Sequence, residues 1–212
     1  MTFSLFKYPE SLVQIAPGAF LLKRFVKNNH ELLESIQRVT SRSPFRHMIT
    51  SRGFRMSVAM TSFGERGWIS DRKGYRYDPI DPQTGQPWPE MPVTFLRLAK
   101  MAASEAGYPG FLPDAGLINR YNIGAKLSLH QDKDETALNA PVVSVSLGLP
   151  ATFIFGGLER NDPKQKLKLE HGDVVVWGGP SRLAYHGILP LKPGLDPLLG
   201  DMRINLTFRK TR

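Results

Sequence analysis

From Gly107 to the C-terminus the chain carries no apolar residues at helical spacing. Short β-type segments alternate there with turns marked by Gly and Pro, at 117–121, 142–147, 152–155, 167–169, 174–177 and 203–209. Parallel strands need crossover connections of a dozen or more residues. With no helix to provide them, this half of the chain is confined to an antiparallel jelly roll or barrel. Two helices are expected before it. Asn28 can cap one that carries Leu32, Leu33, Ile36 and Val39 and stops before Ser43-Pro44. A second should begin near Pro92 and run through Phe95, Leu98, Met101 and Ala102 to Ala106, with Gly107 as its left-handed stop. The expected fold class is α+β, mainly β, in one domain spanning 1–212.

The chain contains no cysteine, which excludes disulfide frameworks, thiolate metal sites, iron–sulfur clusters and cysteine nucleophiles. Any metal must therefore sit on His, Asp or Glu. No apolar run approaches the roughly 18 residues of a membrane span, and Met1 to Glu10 lacks the pattern of a secretion signal. A soluble, cytoplasmic protein is expected. The formal charge of +9 points to an anionic partner. Much of it comes from residues 42–77, where Arg42, Arg46, Arg52, Arg55, Arg66, Arg72, Lys73 and Arg76 face only Glu65 and Asp71. Phe45, Phe54, Phe63, Trp68, Tyr75 and Tyr77 are interleaved with them. Cations beside aromatics suit phosphates and stacked bases; a solvated loop with some aromatics in the core would share the composition.

The chemistry concentrates in three places. In the last strand Met202, Ile204, Leu206 and Phe208 alternate with Arg203, Asn205, Thr207 and Arg209. The polar face is either solvated or lines a pocket for an anion, with guanidiniums about 20 Å apart along an extended strand. In the segment 117–121, Asn119 and Tyr121 share a face and repeat the theme. Third, His130-Gln131-Asp132 can aim an imidazole and a carboxylate at one metal ion, two of three facial ligands. A second copy, His171-Gly172-Asp173, reads as a turn before the apolar run 174–177 and is assigned to structure. His186 is the best candidate for the third ligand. Three N/O ligands leave open positions that suit an Fe(II) oxygenase with a chelating 2-oxo acid; zinc hydrolysis competes. The arginine face favours the oxygenase, because a dicarboxylate needs a cation at its far end.

These residues resemble the AlkB-type Fe(II)/2-oxoglutarate-dependent dioxygenases, bacterial members above all. The likeness runs from about Phe20 to Arg209 and rests on motifs occurring in order. They include Ser43-Pro44-Phe45-Arg46, Asp78-Pro79-Ile80-Asp81-Pro82, Asn119-Arg120-Tyr121, His130-Gln131-Asp132-Lys133-Asp134-Glu135 and the closing Arg203-x-Asn205-x-Thr207-x-Arg209. The resemblance implies a double-stranded β-helix (jelly-roll) core at about 115–212, N-terminal helices, and a nucleotide-recognition lid at about 42–90. It implies iron ligands at His130, Asp132 and His186. Arg203, Tyr121 and Asn205 would hold the distal carboxylate of 2-oxoglutarate, with Arg209 and Asn119 near its metal-bound end. Trp68, Tyr75, Arg76, Tyr77, Asp134 and Arg160 would meet the substrate. The implied activity is oxidative demethylation of N-alkylated bases such as 1-methyladenine and 3-methylcytosine, consuming O2 and releasing formaldehyde, succinate and CO2. The implied partner is alkylated single- or double-stranded DNA, with RNA as a further class, met by a monomer. An Fe(II)/2-oxoglutarate hydroxylase of a protein or small molecule, and a non-catalytic nucleic-acid-binding module, are the alternatives.

Overall fold

The computed structural model describes residues 11–212, so Met1 to Glu10, the segment read for a secretion signal, lies outside the described residues. The elements in chain order are β1 (Leu12–Ala16), β2 (Ala19–Leu22), α1 (Asn29–Arg42), β3 (Ala59–Gly64), β4 (Gly67–Asp71), β5 (Gly74–Asp78) and α2 (Val93–Glu105). There follow β6 (Ala115–Tyr121), β7 (Leu127–His130), β8 (Val142–Gly148), β9 (Ala151–Phe155), β10 (Gln165–Leu169), β11 (Val174–Trp177), β12 (His186–Ile188) and β13 (Arg203–Arg209). A seven-stranded sheet in the order β1-β2-β11-β8-β13-β6-β3 packs on a four-stranded sheet in the order β10-β9-β12-β7. All pairings are antiparallel. This is the expected jelly roll. None of its helices is long and apolar enough to cross a membrane, among the described residues.

Strand alternation sorts the large sheet into two cores. Ile118, Val143, Val145, Val174, Val176, Ile204, Leu206 and Phe208 face the helices. Leu117, Tyr121, Val175 and Trp177 face the small sheet, where they meet Phe153, Phe155, Leu169 and Ile188. Both helices lie against the first core through residues placed by the 3.6-residue period. Asn28 caps α1, accepting from the Glu31 N–H at 3.4 Å, and Leu32, Ile36 and Val39 are buried. On α2 the buried residues are Phe95, Ala99, Ala102 and Ala103, and Gly107 ends the turn at φ +84°. Met101 is exposed, contrary to the apolar stripe drawn from the sequence. At 100° per residue it stands about 120° around the helix from Phe95, off the face that reaches the sheet.

The sequence pattern misses β1 to β5, β7 and β12 as strands. Strands β7 and β12 are four and three residues long, too short to display alternation, and they form only because β9 and each other supply pairing partners. Between α1 and α2 the chain forms β3 at the edge of the large sheet and the separate hairpin β4–β5, whose turn carries Arg72 and Lys73. Arg46 is not free for a phosphate there. Its guanidinium pairs with both oxygens of buried Asp81 and donates to Ser43 Oγ at 2.9 Å. Thr61 Oγ1 donates to the Ser43 carbonyl at 2.8 Å, so this cation ties the α1 exit to β3.

Candidate metal and cosubstrate site

The polar face of β13 points inward, between the sheets, and not to solvent. Arg203, Asn205, Thr207 and Arg209 are all buried. β8 answers them with small polar side chains, since its register sets Ser146 opposite Asn205 and Ser144 opposite Thr207. Asn205 Nδ2 donates to Ser144 Oγ at 2.8 Å and to the Val145 carbonyl at 2.9 Å. Asn205 Oδ1 accepts from Asn119 Nδ2 (3.1 Å) and Thr207 Oγ1 (3.0 Å). Asn119 and Asn205 thereby form a satisfied floor.

Arg203 is different. Its side chain is 1% exposed, lies 4.9 Å from the Tyr121 ring centroid, and donates Nη2 to Ser146 Oγ at 3.0 Å. Nε and Nη1 are buried with no hydrogen-bond partner among the described residues. Burial lowers the pKa of this guanidinium from its usual value, with Tyr121 opposing in part. A buried cation with two empty donors is costly unless an anion meets it. A carboxylate can meet this guanidinium at the edge where the open Nη1 lies beside the second hydrogen of Nη2, so the donor set suits the distal end of 2-oxoglutarate.

His130 and His186 are cross-strand neighbours on β7 and β12, with ring centroids 4.4 Å apart. Each Nδ1 lies against a backbone carbonyl, Ser128 O at 2.8 Å and Ala184 O at 2.9 Å. A carbonyl can only accept, so Nδ1 carries the proton and each Nε2 presents a lone pair. Asp132, two residues beyond β7, turns Oδ1 toward both, 3.6 Å from His130 Nε2 and 3.9 Å from His186 Nε2. The three ligand atoms lie within 4.8 Å of one another. Gly187 follows His186 because a Cβ there would stand 2.8 Å from the Leu127 carbonyl and force β7 away. Burial drops His186 to a pKa of about 4, with the charge of His130 adding to the effect, so it is neutral at pH 7. Burial acts the same way on His130, but the Asp132 carboxylate outweighs it and raises that pKa. Burial also pushes Asp132 up, but the Arg209 guanidinium outweighs it and holds the carboxyl well below the usual range. Two imidazole Nε2 atoms and one carboxylate suit Fe(II), whose binding would displace any proton from the His130 ring.

Arg209 donates Nε and Nη2 to Asp132 Oδ2 at 2.9 and 2.7 Å, so it grips the metal carboxylate directly. At the mouth, Trp68 of β4 stacks on Tyr75 of β5 at 5.6 Å and 15°, and its Nε1 donates to Asp134 Oδ2 at 2.8 Å. Tyr77 donates to Glu135 Oε1 at 2.5 Å. Arg160 donates to the Leu129 carbonyl at 3.1 Å and lies 5.7 Å from the Tyr185 ring centroid. Arg76 is the residue not brought in. Alternation turns it away from Tyr75 and Tyr77, and Asp71 takes its guanidinium at 2.9 and 3.0 Å. The duplicate His-x-Asp is structural: His171 Nδ1 accepts from the Gly148 N–H at 2.9 Å, and Asp173 accepts from the N–H groups of Arg24 and Glu170.

Sequence reasoning missed Ser144 and Ser146, whose alternation with Val143, Val145 and Leu147 marks a polar face on β8. It also missed Gln131, which donates to the Leu183 carbonyl at 2.7 Å, and the buried pair Glu135–Arg182 at 3.0 Å.

The family model of the 2OG-Fe(II) oxygenase superfamily matches residues 18–209. The alpha-ketoglutarate-dependent dioxygenase AlkB of Escherichia coli is 64% identical over 197 residues, covering 92% of this chain and 91% of that protein. The AlkB homolog of Caulobacter vibrioides is 45% identical, covering 85% and 81%. Among solved structures, that of OsALKBH1 superposes with a TM-score of 0.82 at 32% identity, covering 94% of this chain and 99% of that one. With the His130, Asp132 and His186 set in a jelly roll, these matches establish that the chain belongs to the 2OG-Fe(II) oxygenase superfamily and, within it, to the AlkB-type dioxygenases.

Proposed function

We propose that this protein is an oxidative demethylase of alkylated bases in nucleic acid, dependent on Fe(II), O2 and 2-oxoglutarate. One observation carries the reading: the buried, half-unpaired Arg203 shares the inter-sheet space with the His130, Asp132 and His186 donors. Ferrous iron bound there with 2-oxoglutarate supplies the oxidising chemistry, in which the 2-oxo acid becomes succinate and CO2 while a methyl C–H gains an oxygen atom. The chain's residues do the rest. Arg203 fixes the distal carboxylate, and Tyr121 and the Asn119–Asn205 floor shape that end. Arg209 holds Asp132, and the carbonyls of Ser128 and Ala184 hold the imidazoles.

The substrate end is built for a flipped, cationic base. Methylation at a pairing nitrogen, as in 1-methyladenine or 3-methylcytosine, adds charge and blocks pairing, which lowers the cost of extrusion. Trp68, braced by Tyr75, stacks on one face of the flipped base and the His130 ring on the other. Asp134 keeps Oδ2 on Trp68, and its charge attracts the base while Oδ1 accepts from an exocyclic amine. Hydroxylation of the methyl group gives a hemiaminal that loses formaldehyde and restores the base. Residues 42–90 act as the lid, with Arg52, Arg55, Arg72 and Lys73 available for phosphates and Arg160 at the opposite rim. The protein works in the cytoplasm as a monomer on DNA, and on RNA as a second substrate. The test is formaldehyde release from a 1-methyladenine oligonucleotide, expected only with iron and 2-oxoglutarate together. Turnover that persists with either one omitted overturns the proposal.

A further inference from the structure

Behind the metal ligands lies a buried ionic cluster that reaches into the lid. Glu135 is its hub. Glu135 Oε1 accepts from the Tyr77 hydroxyl at 2.5 Å and lies 3.3 Å from Arg209 Nε, while Oε2 accepts from Arg182 Nη2 at 3.0 Å. Arg182 also donates Nη1 to the Asp132 carbonyl at 2.6 Å, fixing the loop between the two carboxylates. Arg209 therefore stands between Asp132 and Glu135, and its two bonds to Asp132 Oδ2 determine that Oδ1 is the oxygen facing the imidazoles. Two carboxylates balance two guanidiniums in this space, and each group depends on the others for compensation. Burial raises the Tyr77 phenol well above its ordinary value, so the hydroxyl keeps its proton and donates.

We propose that Glu135 is a positioning residue that joins lid strand β5 to the metal carboxylate through Arg209, so that seating of Tyr77 and binding of a metal ion favour one another. With Tyr77 in place, Glu135 is pinned by both oxygens and the Arg209 guanidinium has one position. With Tyr77 withdrawn, Glu135 Oε1 is left to Arg209, which is drawn off Asp132 and frees its carboxylate to turn. Linkage requires the effect to be reciprocal: the factor by which the Tyr77–Glu135 bond raises metal affinity equals the factor by which the metal stabilises the seated lid. The proposal rests on the assignment of His130, Asp132 and His186 as metal ligands.

The test uses the metal alone, without substrate or turnover. Wild-type protein, Tyr77→Phe, Glu135→Gln and His130→Ala are titrated with Co(II), followed by its visible absorption. Hydrogen exchange of residues 74–78 is measured with and without Co(II). Tyr77→Phe is expected to weaken Co(II) binding about three- to tenfold and to reduce the metal-induced protection of 74–78 by the same factor. Glu135→Gln should weaken binding further and shift the Co(II) bands; should this variant not fold, Tyr77→Phe decides alone. Unchanged Co(II) affinity in Tyr77→Phe, or a changed affinity with unaltered protection of 74–78, overturns the linkage. His130→Ala separates the two layers: if it binds Co(II) like wild type, the ligand assignment itself has failed, whereas weak binding there with an unaffected Tyr77→Phe removes only the linkage.

Discussion

Replacing Arg203 with Met should weaken 2-oxoglutarate binding and leave the empty protein at least as stable. Both signs follow from the same two atoms. Nε and Nη1 of Arg203 are buried and unpaired among the described residues, and only Nη2 has a protein acceptor. A carboxylate arriving there gains two hydrogen bonds to a charged donor, each worth about 1.5 to 3 kcal/mol. Removing one partner of a buried, hydrogen-bonded charge pair costs about 2 to 5 kcal/mol. An affinity loss on the order of 10²- to 10³-fold is therefore expected. In the ligand-free protein the guanidinium is a liability whose desolvation costs several kcal/mol, so an apolar chain of similar volume should hold or raise stability. The substitution Arg203→Lys keeps a charge but loses the planar fork, so its affinity should fall between those of wild type and Arg203→Met. The assay is anaerobic calorimetry of 2-oxoglutarate on Mn(II)-loaded protein, paired with urea unfolding of the metal-free protein. If Arg203→Met binds 2-oxoglutarate within about threefold of wild type, well under one 1.4 kcal/mol step, the unpaired donors are not the cosubstrate's anchor. If the metal-free variant instead unfolds at markedly lower urea, Arg203 serves the fold.

Four further variants probe other parts of the molecule. Asp81 is pushed up by burial, but Arg46, the Ser43 hydroxyl and the Gln83 N–H outweigh this and hold its pKa at about 2. The folded-state value lies below the unfolded one, so the stabilisation, about 2 kcal/mol, is complete above about pH 4 and disappears as pH falls through 2. Acid titration of unfolding should show a flatter limb in Asp81→Asn, which should also be less stable at pH 7; an identical acid limb would contradict the Arg46–Asp81 assignment. His171→Ala should cost about 1 to 3 kcal/mol, because the Gly148 N–H loses its acceptor, with Co(II) affinity unchanged. Asp132→Ala should remove Co(II) binding, and equal metal loss in the two would show that the wrong His-x-Asp had been assigned. Trp68→Ala should weaken binding of a 1-methyladenine oligonucleotide by about 1 to 3 kcal/mol, measured by fluorescence anisotropy in metal-loaded, oxygen-free protein, and unchanged affinity would argue against the stacking face.

What was legible in the sequence depended on whether one segment carried its own signal. β13 did, because seven residues of strict alternation separate Ile204, Leu206 and Phe208 from Arg203, Asn205, Thr207 and Arg209. Whether that polar face was wet or lined a pocket was not contained in the strand. It was decided by the small sheet that covers it, and β7 and β12 of that sheet are too short to read. The same division runs through the site. His130 and Asp132 are close in sequence and could be paired by spacing, whereas His186 becomes their neighbour only through the β7–β12 register. The pairing of Glu135 with Arg182 gave no signal, because a charge pair 47 positions apart looks like two surface residues until the fold removes the water between them. Arg46 and Arg76 erred in the opposite direction: counted with the free cations, each is occupied by an acid that the fold delivers, Asp81 from 35 positions away and Asp71 across a hairpin. The net charge of a segment therefore overstates what it can offer to phosphate, and the effective grip of residues 42–77 reduces to cations without such partners. This is measurable, because the salt dependence of oligonucleotide binding counts phosphates neutralised, at a slope of about −0.7 per contact for single strands. Arg52→Ala and Arg72→Ala should each lower that slope, whereas Arg76→Ala should leave it unchanged.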